Sequence, residues 1–184
     1  MPKKIILFNG PPGSGKDTAA LAVSDKLGIP HIKLSWPLKY IASDTLGISH
    51  EILEQNKERP TVNELSYRQI QIEIFRAIAA VLGTKWLASM VVTRIDRNSL
   101  HDVFVLSDCG RPEEVDTLCS AFGAENVLLV GIHRKGKDYS NDIRTQVRPI
   151  PKQPYKSIYN DTDIETFKQR AVVAVGEFLE LTDD

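Results

Sequence analysis

The sequence predicts an α/β fold in which helices cover both faces of a central parallel sheet, and three observations predict it. Residues 5–8, 103–106 and 127–132 are short runs that are apolar throughout, as strands buried on both faces must be. Segments of helical periodicity separate these runs, and parallel strands need such crossovers. A glycine-rich stretch, 10–16, lies directly between the first run and a helical pattern.

Ile5-Ile6-Leu7-Phe8, bounded by Lys4 and Gly10-Pro11, reads as a central strand. In 16–27 the residues Ala20, Val23 and Leu27 recur at helical spacing, and Gly28 followed by Pro30 stops the helix. A short strand at 31–34 leads to Ser35, a candidate N-cap for a helix lined by Leu38, Ile41, Ala42, Thr45 and Leu46 and ended by Gly47. Residues 48–63 are polar and charged. Ser66 and Gln69 have capping-box spacing, ahead of a stripe of Ile70, Ile74, Phe75, Ile78 and Leu82 that stops at Gly83; a further helix occupies 85–97.

The run 103–106 ends in Ser107-Asp108, and 112–122 forms the crossover helix to 127–132. Residues 133–148 are a loop rich in Lys, Arg, Gly and Asp, and the prolines of 149–154 exclude a regular element there. Ile158-Tyr159 reads as a brief last strand. Thr162 and Glu165 then cap a helix with Ile164, Phe167, Ala171, Val175 and Phe178 on its inner face. No internal repeat or low-complexity segment interrupts this order.

A chain of 184 residues suits one compact domain, 1–184, and is too short for two with a linker. Lys plus Arg number 23 against 24 Asp plus Glu, a formal net charge of -1, so there is no overall basic field for a nucleic-acid polymer and any positive site must be local. Cys109 and Cys119 form no C-x-x-C pair and read as buried free thiols, which points to the cytoplasm. Met1-Pro2-Lys3-Lys4 leads into an apolar run too short for a signal peptide or a membrane span, so no membrane association is expected. His31, His50, His101 and His133 have no metal-ligand spacing, and no Ser/His/Asp arrangement is visible.

Gly10-Pro11-Pro12-Gly13-Ser14-Gly15-Lys16 matches G-x-x-x-x-G-K between a buried strand and a helix, the context of a phosphate-binding P-loop. The expected fold is therefore the three-layer P-loop NTPase fold. Its backbone N–H groups point inward at a phosphate, and Gly13 and Gly15 allow the close approach. The helix N-terminus and Lys16 neutralise the β and γ phosphates of ATP. Asp17 stands where a magnesium-binding Ser or Thr is expected, and the hydroxyl comes one residue later at Thr18. Either Asp17 holds Mg²⁺, directly or through water, while Thr18 bonds the α-phosphate, or Asp17 complements the helix dipole. The residues alone leave both open.

Asp108 closes an apolar strand, as a Walker-B carboxylate does, and Arg111 follows three residues later. Together they could hold a metal-bound water and an acceptor phosphate; the alternative is an N-cap at Asp108 or Cys109. The basic segment 133–148, with Arg134 among its cations, could close over ATP as a lid or could simply be solvated. The region 35–100 carries Lys39, Arg59, Arg68, Arg76, Lys85 and Arg94. It is a candidate acceptor-binding region, although most of those cations belong to the surface.

Five stretches carry a family likeness: Gly13-Ser14-Gly15-Lys16-Asp17-Thr18, Pro37-Leu38-Lys39, Ser107-Asp108-Cys109-Gly110-Arg111, Tyr159-Asn160-Asp161, and Arg76 followed by Leu82-Gly83-Thr84. In these the chain resembles the phage deoxynucleoside monophosphate kinases, where the Gly-Lys-Asp-Thr form of the loop is usual. The resemblance implies ATP on Gly10, Pro11, Gly13, Ser14, Gly15, Lys16, Asp17 and Thr18, with an adenine contact near Asn160. It implies an acceptor site near Ser35, Lys39, Arg76, Asp108 and Arg111 and a basic lid after His133; with the residue chemistry above, Mg²⁺ is expected at Asp17 and Asp108, and catalysis by Lys16, Asp108, Arg111 and the lid's Arg134. One departure is that Thr84 runs directly into Lys85-Trp86-Leu87, where such kinases often have a longer stretch. The chain is also similar to animal-type phosphomevalonate kinases at the loop, at Leu34-Ser35 and Pro37-Leu38-Lys39, and at Ser107-Asp108 and Arg111.

The expected function is ATP-dependent transfer of the γ-phosphoryl group to a deoxynucleoside monophosphate, in the cytoplasm (the host's, if phage-encoded), with a homodimer compatible. A phosphomevalonate acceptor and a P-loop ATPase switch are the alternatives.

Overall fold

The computed structural model describes residues 2–61, 64–140 and 144–180; residues 62–63 of the helical region and 141–143 of the lid segment lie outside them. Five strands, β1 (Lys4–Asn9), β2 (His31–Ile32), β3 (Val103–Cys109), β4 (Val127–His133) and β5 (Tyr155–Tyr159), form a parallel sheet in the order β2-β3-β1-β4-β5. Because side chains alternate along a strand, β1 feeds two cores at once. Ile6 and Phe8 pack with Val105, Leu128, Val130 and Ile132 beneath α1 (Lys16–Leu27) and α7 (Ile164–Glu180). Ile5 and Leu7 pack with Phe104, Leu106, Val127 and Leu129 beneath α5 (Trp86–Asp96) and α6 (Pro112–Phe122). The uniformly apolar runs of the sequence are the consequence of this two-sided burial.

Between β2 and β3 the chain forms α2 (Trp36–Leu46), α3 (His50–Gln55), α4 (Tyr67–Leu82) and α5. A third, smaller core of Leu38, Phe75, Trp86 and Leu87 joins α2, α4 and α5. The capping box of α4 closes on both sides: Ser66 Oγ accepts from Gln69 N–H at 3.2 Å and Gln69 Oε1 accepts from Ser66 N–H at 2.7 Å. Among the described residues no single helix is long and apolar enough to cross a membrane.

Several expectations are corrected. β2 stops after Ile32, ahead of a turn that the Asp108 carboxylate holds at Leu34 and Ser35; Ser35 takes the N-cap position of α2, but its hydroxyl donates to Asp108 rather than capping the helix. The polar segment 48–63 contains α3, begun by Ser49 Oγ, which accepts from Ile52 N–H. β5 starts at Tyr155, since ladder pairing with β4 does not require an apolar side chain at a sheet edge. Asp163, not Thr162, caps α7: its carboxylate accepts from the N–H groups of Glu165 and Thr166, both at 3.0 Å. Leu27, Leu82 and Ile164 are exposed rather than inward-facing, each lying in an end turn of its helix.

Phe167 is buried against α1, and a Cβ at Gly15 would lie 3.1 Å from its ring, so the same side chain fills the core and supports the glycine-rich loop. Phe167→Ala is expected to cost about 3–5 kcal/mol in urea unfolding; a loss below about 1 kcal/mol would show that this contact is dispensable.

Candidate active site

The loop leaves β1 and enters α1 at Lys16. Gly13 and Gly15 have φ of 73° and 102°, and a Cβ at Gly15 would stand 2.6 Å from Asn160 Nδ2, so this position admits glycine. Asn160 donates from Nδ2 to the Ser14 carbonyl at 2.8 Å, and its own N–H bonds the His133 carbonyl at 2.7 Å. Its amide therefore holds the loop in shape from the ends of β4 and β5. Lys16 is buried and Nζ folds back to the Pro11 carbonyl at 3.2 Å.

Asp17 lies one residue further, its side chain half exposed. Ser107 Oγ donates to Asp17 Oδ1 at 2.7 Å, and His31 Nε2 lies 2.8 Å from the same hydroxyl. With the hydroxyl proton committed to Asp17, His31 is the donor of the second bond. Burial pushes the Asp17 pKa up, but the Ser107 bond together with Lys33, Lys16 and His31 outweighs it and leaves the carboxyl below its ordinary value. Burial likewise lowers the pKa of His31, despite Asp17 nearby.

Asp108 is fully engaged by the start of α2. Its carboxylate accepts from Leu34 N–H at 2.5 Å, Ser35 N–H at 3.0 Å and the Ser35 hydroxyl at 2.5 Å. It ties the end of β3 to the turn after β2 and does not cap α6. Glu114 serves the start of α6: Oε2 accepts from Gly110 N–H at 2.8 Å and Arg111 N–H at 3.1 Å. Burial pushes this carboxyl up to about 7. The backbone of Arg111 is fixed by Glu114, and its guanidinium lies over the Phe75 ring at 3.7 Å from the centroid.

Lys16, Asp17, Ser35, Lys39, Asp108 and Arg111 border one cavity of about 360 Å³. Leu38, Ile72, Phe75 and Leu87 form its apolar wall; Lys33, Lys57, Arg68 and Arg144 complete its cationic rim. Glu54 of α3 gathers the lysines, with Lys39 Nζ at 2.6 Å, Lys57 Nζ at 2.7 Å and Lys33 Nζ at 4.0 Å. Burial works to raise the Glu54 pKa, but its bonds to Lys39 and Lys57 hold it at about 2. A second cavity of about 520 Å³ lies across the loop, between Pro11 and the ends of β4 and β5, walled by Tyr139, Tyr155 and Tyr159.

Several expected site residues lie outside this first cavity. Arg76 points to solvent and pairs with Glu73 at 2.6 Å, since it lies one residue past Phe75, off the helix face that meets the cavity. Arg134 borders the second cavity and donates to the Gly13 carbonyl at 3.0 Å. Thr18 is partly buried and borders neither cavity. Of the six cations singled out in 35–100, Lys39 and Arg68 border the first cavity. Sequence reasoning missed Lys33, Phe75 and Glu114 as cavity residues and Glu54 as the carboxylate that gathers the lysines, and it gave Arg144 no role apart from the basic segment 133–148. Among the described residues no cluster of three or more His, Cys, Asp or Glu is arranged to hold a metal.

In structure the chain is similar to a gluconokinase from Sinorhizobium meliloti 1021, with a TM-score of 0.53 at 14% identity, over 97% of this chain and 94% of that one. A sugar kinase from Janibacter sp. HTCC2649 gives a TM-score of 0.53 at 16% identity, over 95% of each chain. The fold is that of the P-loop kinases. No protein-family model and no curated protein matches the sequence.

The Glu54 cluster has a definite pH signature. A carboxylate whose folded pKa is depressed stabilises the fold above its unfolded pKa of about 4.5 and loses that contribution as pH falls toward about 2. Glu54→Gln is expected to lower stability at pH 7 by about 1–2 kcal/mol after solvent screening. The gap to the wild type should close between about pH 4.5 and pH 2 in urea titrations; a gap independent of pH would remove the ionic role.

Proposed function

We propose that this chain is an ATP-dependent phosphotransferase acting on a small phosphomonoester, with a deoxynucleoside monophosphate as acceptor. The observation that carries the reading is the single cavity in which the P-loop lysine, Lys16, faces Arg111, Lys39 and an apolar wall. Phosphoryl transfer needs positioning and charge neutralisation more than covalent chemistry, and such a cavity offers both. The related folds named above belong to kinases described as acting on sugars. The dense cations here favour an acceptor that is itself anionic, and the apolar wall of Leu38, Ile72, Phe75 and Leu87 offers the body of a nucleoside a contact surface beside them.

In this reading an oxygen of the acceptor phosphate forms a bond to the γ-phosphorus as the bond to the β–γ bridging oxygen breaks. The electron pair leaves on ADP. The attacking oxygen is already ionised, so no proton has to move and no covalent enzyme intermediate forms. Lys16 exchanges the Pro11 carbonyl for the β and γ phosphates. Arg111, supported by Phe75 and Glu114, grips the acceptor phosphate with its fork of donors. Asp17, ionised and half exposed, suits a Mg²⁺ ion held mostly by phosphates and water, whereas the Asp108 oxygens are already occupied by Leu34 and Ser35. Mg²⁺ bound with the nucleotide would supply further charge neutralisation. Asp108 then acts by setting the turn that presents Ser35, and Asn160 serves the donor site by holding the loop.

A coupled ADP-release assay across deoxynucleoside monophosphates, ribonucleotides and phosphomevalonate tests the assignment. ADP release is expected to depend on a deoxynucleoside monophosphate; slow release indifferent to every acceptor would favour a switch ATPase.

Lys16→Ala is expected to abolish transfer while leaving the urea midpoint nearly unchanged, and retained turnover would sink the donor-site assignment. Arg111→Lys should lower kcat/KM for the acceptor by about tenfold to a hundredfold, equivalent to about 1.5–3 kcal/mol, with ATP affinity nearly constant. Steady-state kinetics with each substrate varied in turn decide it; a defect confined to ATP would move Arg111 to the donor side.

A further inference from the structure

The end of β1 carries a buried polar residue that the proposed chemistry does not use. Asn9 is 2% exposed, and all four hydrogen-bonding positions of its amide are taken. Nδ2 donates to the Cys109 carbonyl at 2.9 Å and the Thr145 carbonyl at 3.1 Å. Oδ1 accepts from Val147 N–H at 3.0 Å and the Tyr139 hydroxyl at 3.1 Å. Thr145 N–H in turn bonds the Gly110 carbonyl at 2.9 Å, and Val147 is buried in the core beneath α5 and α6. Residues 144–147 are thus an extended strap pinned across the ends of β1 and β3, although nothing in their sequence forms a helix or strand.

The strap aims one side chain. The stem of Arg144 lies flat on Gly110: a Cβ there would meet Arg144 Cγ at 2.5 Å, Cδ at 2.6 Å and Cβ at 2.7 Å. From that seat Arg144 borders the cavity of Lys16 and Arg111. Arg134 has the opposite situation, being exposed, bonded to a loop carbonyl and beside the other cavity. A catalytic cation must be held in place before charge develops, and of these two arginines Arg144 is the one whose stem is packed on backbone beside the Lys16 cavity.

We infer that Arg144 is the arginine that contacts the transferring phosphoryl group, and that Asn9 is the positioning residue that preorganises it. The inference rests on the phosphotransfer reading above. As the acceptor oxygen bonds to the γ-phosphorus and the bridging oxygen departs with its electron pair, the equatorial oxygens carry the charge that a guanidinium beside Lys16 and Arg111 would meet.

The test compares Arg144→Ala, Arg144→Lys, Arg134→Ala and Asn9→Ala in the full chain. Arg144→Ala is expected to lower kcat by about 10²–10³-fold with Mg-ADP affinity nearly unchanged, and Arg144→Lys to recover little of it. Arg134→Ala should lower kcat by much less. Asn9→Ala should also lower kcat, yet add little when combined with Arg144→Ala, a coupling that general destabilisation would not produce. Should Asn9→Ala not fold, the arginine variants decide. The inference is overturned if Arg144→Ala keeps kcat near the wild-type value, or if Arg134→Ala is the more damaging.

A second measurement separates this inference from the phosphotransfer reading. If no acceptor supports turnover, that reading falls. Mg-ADP affinity with and without aluminium fluoride, a mimic of the transferring group, then judges Arg144 by calorimetry. Tightening in the wild type that is lost in Arg144→Ala supports the contact. Tightening retained in the variant, or absent in the wild type, overturns it.

Discussion

The burial of β1 on both faces, at the centre of a parallel sheet, is the constraint on which the rest of this structure depends. Parallel strands all end on one edge, so whatever follows β1, β3 and β4 is delivered to the same place. The glycine-rich loop follows β1, Asp108 and Arg111 belong to the end of β3, and Arg134 follows β4. Ile5, Ile6, Leu7 and Phe8, split between two cores, hold that edge still. Without a rigid β1 neither the loop nor the strap would have a fixed reference.

The edge is strongly cationic, and a cavity of like charges without an anion raises the energy of the folded state. Carboxylates placed just outside or beside it moderate this. Glu54 holds Lys39 and Lys57 from the α3 side, Asp17 faces Lys33, and Asp108 spends its charge on backbone and hydroxyl donors. Glu114 is different: buried against two N–H groups, it anchors the Arg111 backbone rather than neutralising a lysine. Glu54 thus stands behind its lysines, whereas Asp17, Asp108 and Glu114 border the cavity themselves.

Two neutral amides do comparable structural work. Asn160 holds the Ser14 carbonyl, and Asn9 gathers β3, Tyr139 and the 144–147 strap. An amide can donate and accept at once, which lets one buried side chain join several chain segments without introducing a charge. Both residues sit at the ends of strands, where the regular ladder stops supplying partners to the backbone.

What the sequence determined by itself is what depends on neighbours along the chain. The bounds of α1 and α6, the capping box at Ser66 and Gln69, the two-sided burial of β1, β3 and β4, and the Lys16 loop are encoded in local spacing and composition. Even locally, Thr162 yields the cap of α7 to Asp163, whose carboxylate accepts from the Glu165 and Thr166 N–H groups. Tertiary structure alone decided which cation reaches the cavity. Arg76, Arg134 and Arg144 look alike in sequence, but one helix-face step, a carbonyl of the loop and a strap pinned by Asn9 send them to solvent, to the second cavity and to the Lys16 cavity respectively. It also decided the partners of Asp108 and Glu54, whose donors arrive from elements that only the packing brings together. A long side chain's destination is set by the backbone that carries it and by contacts distant in the chain, and local spacing holds no record of either.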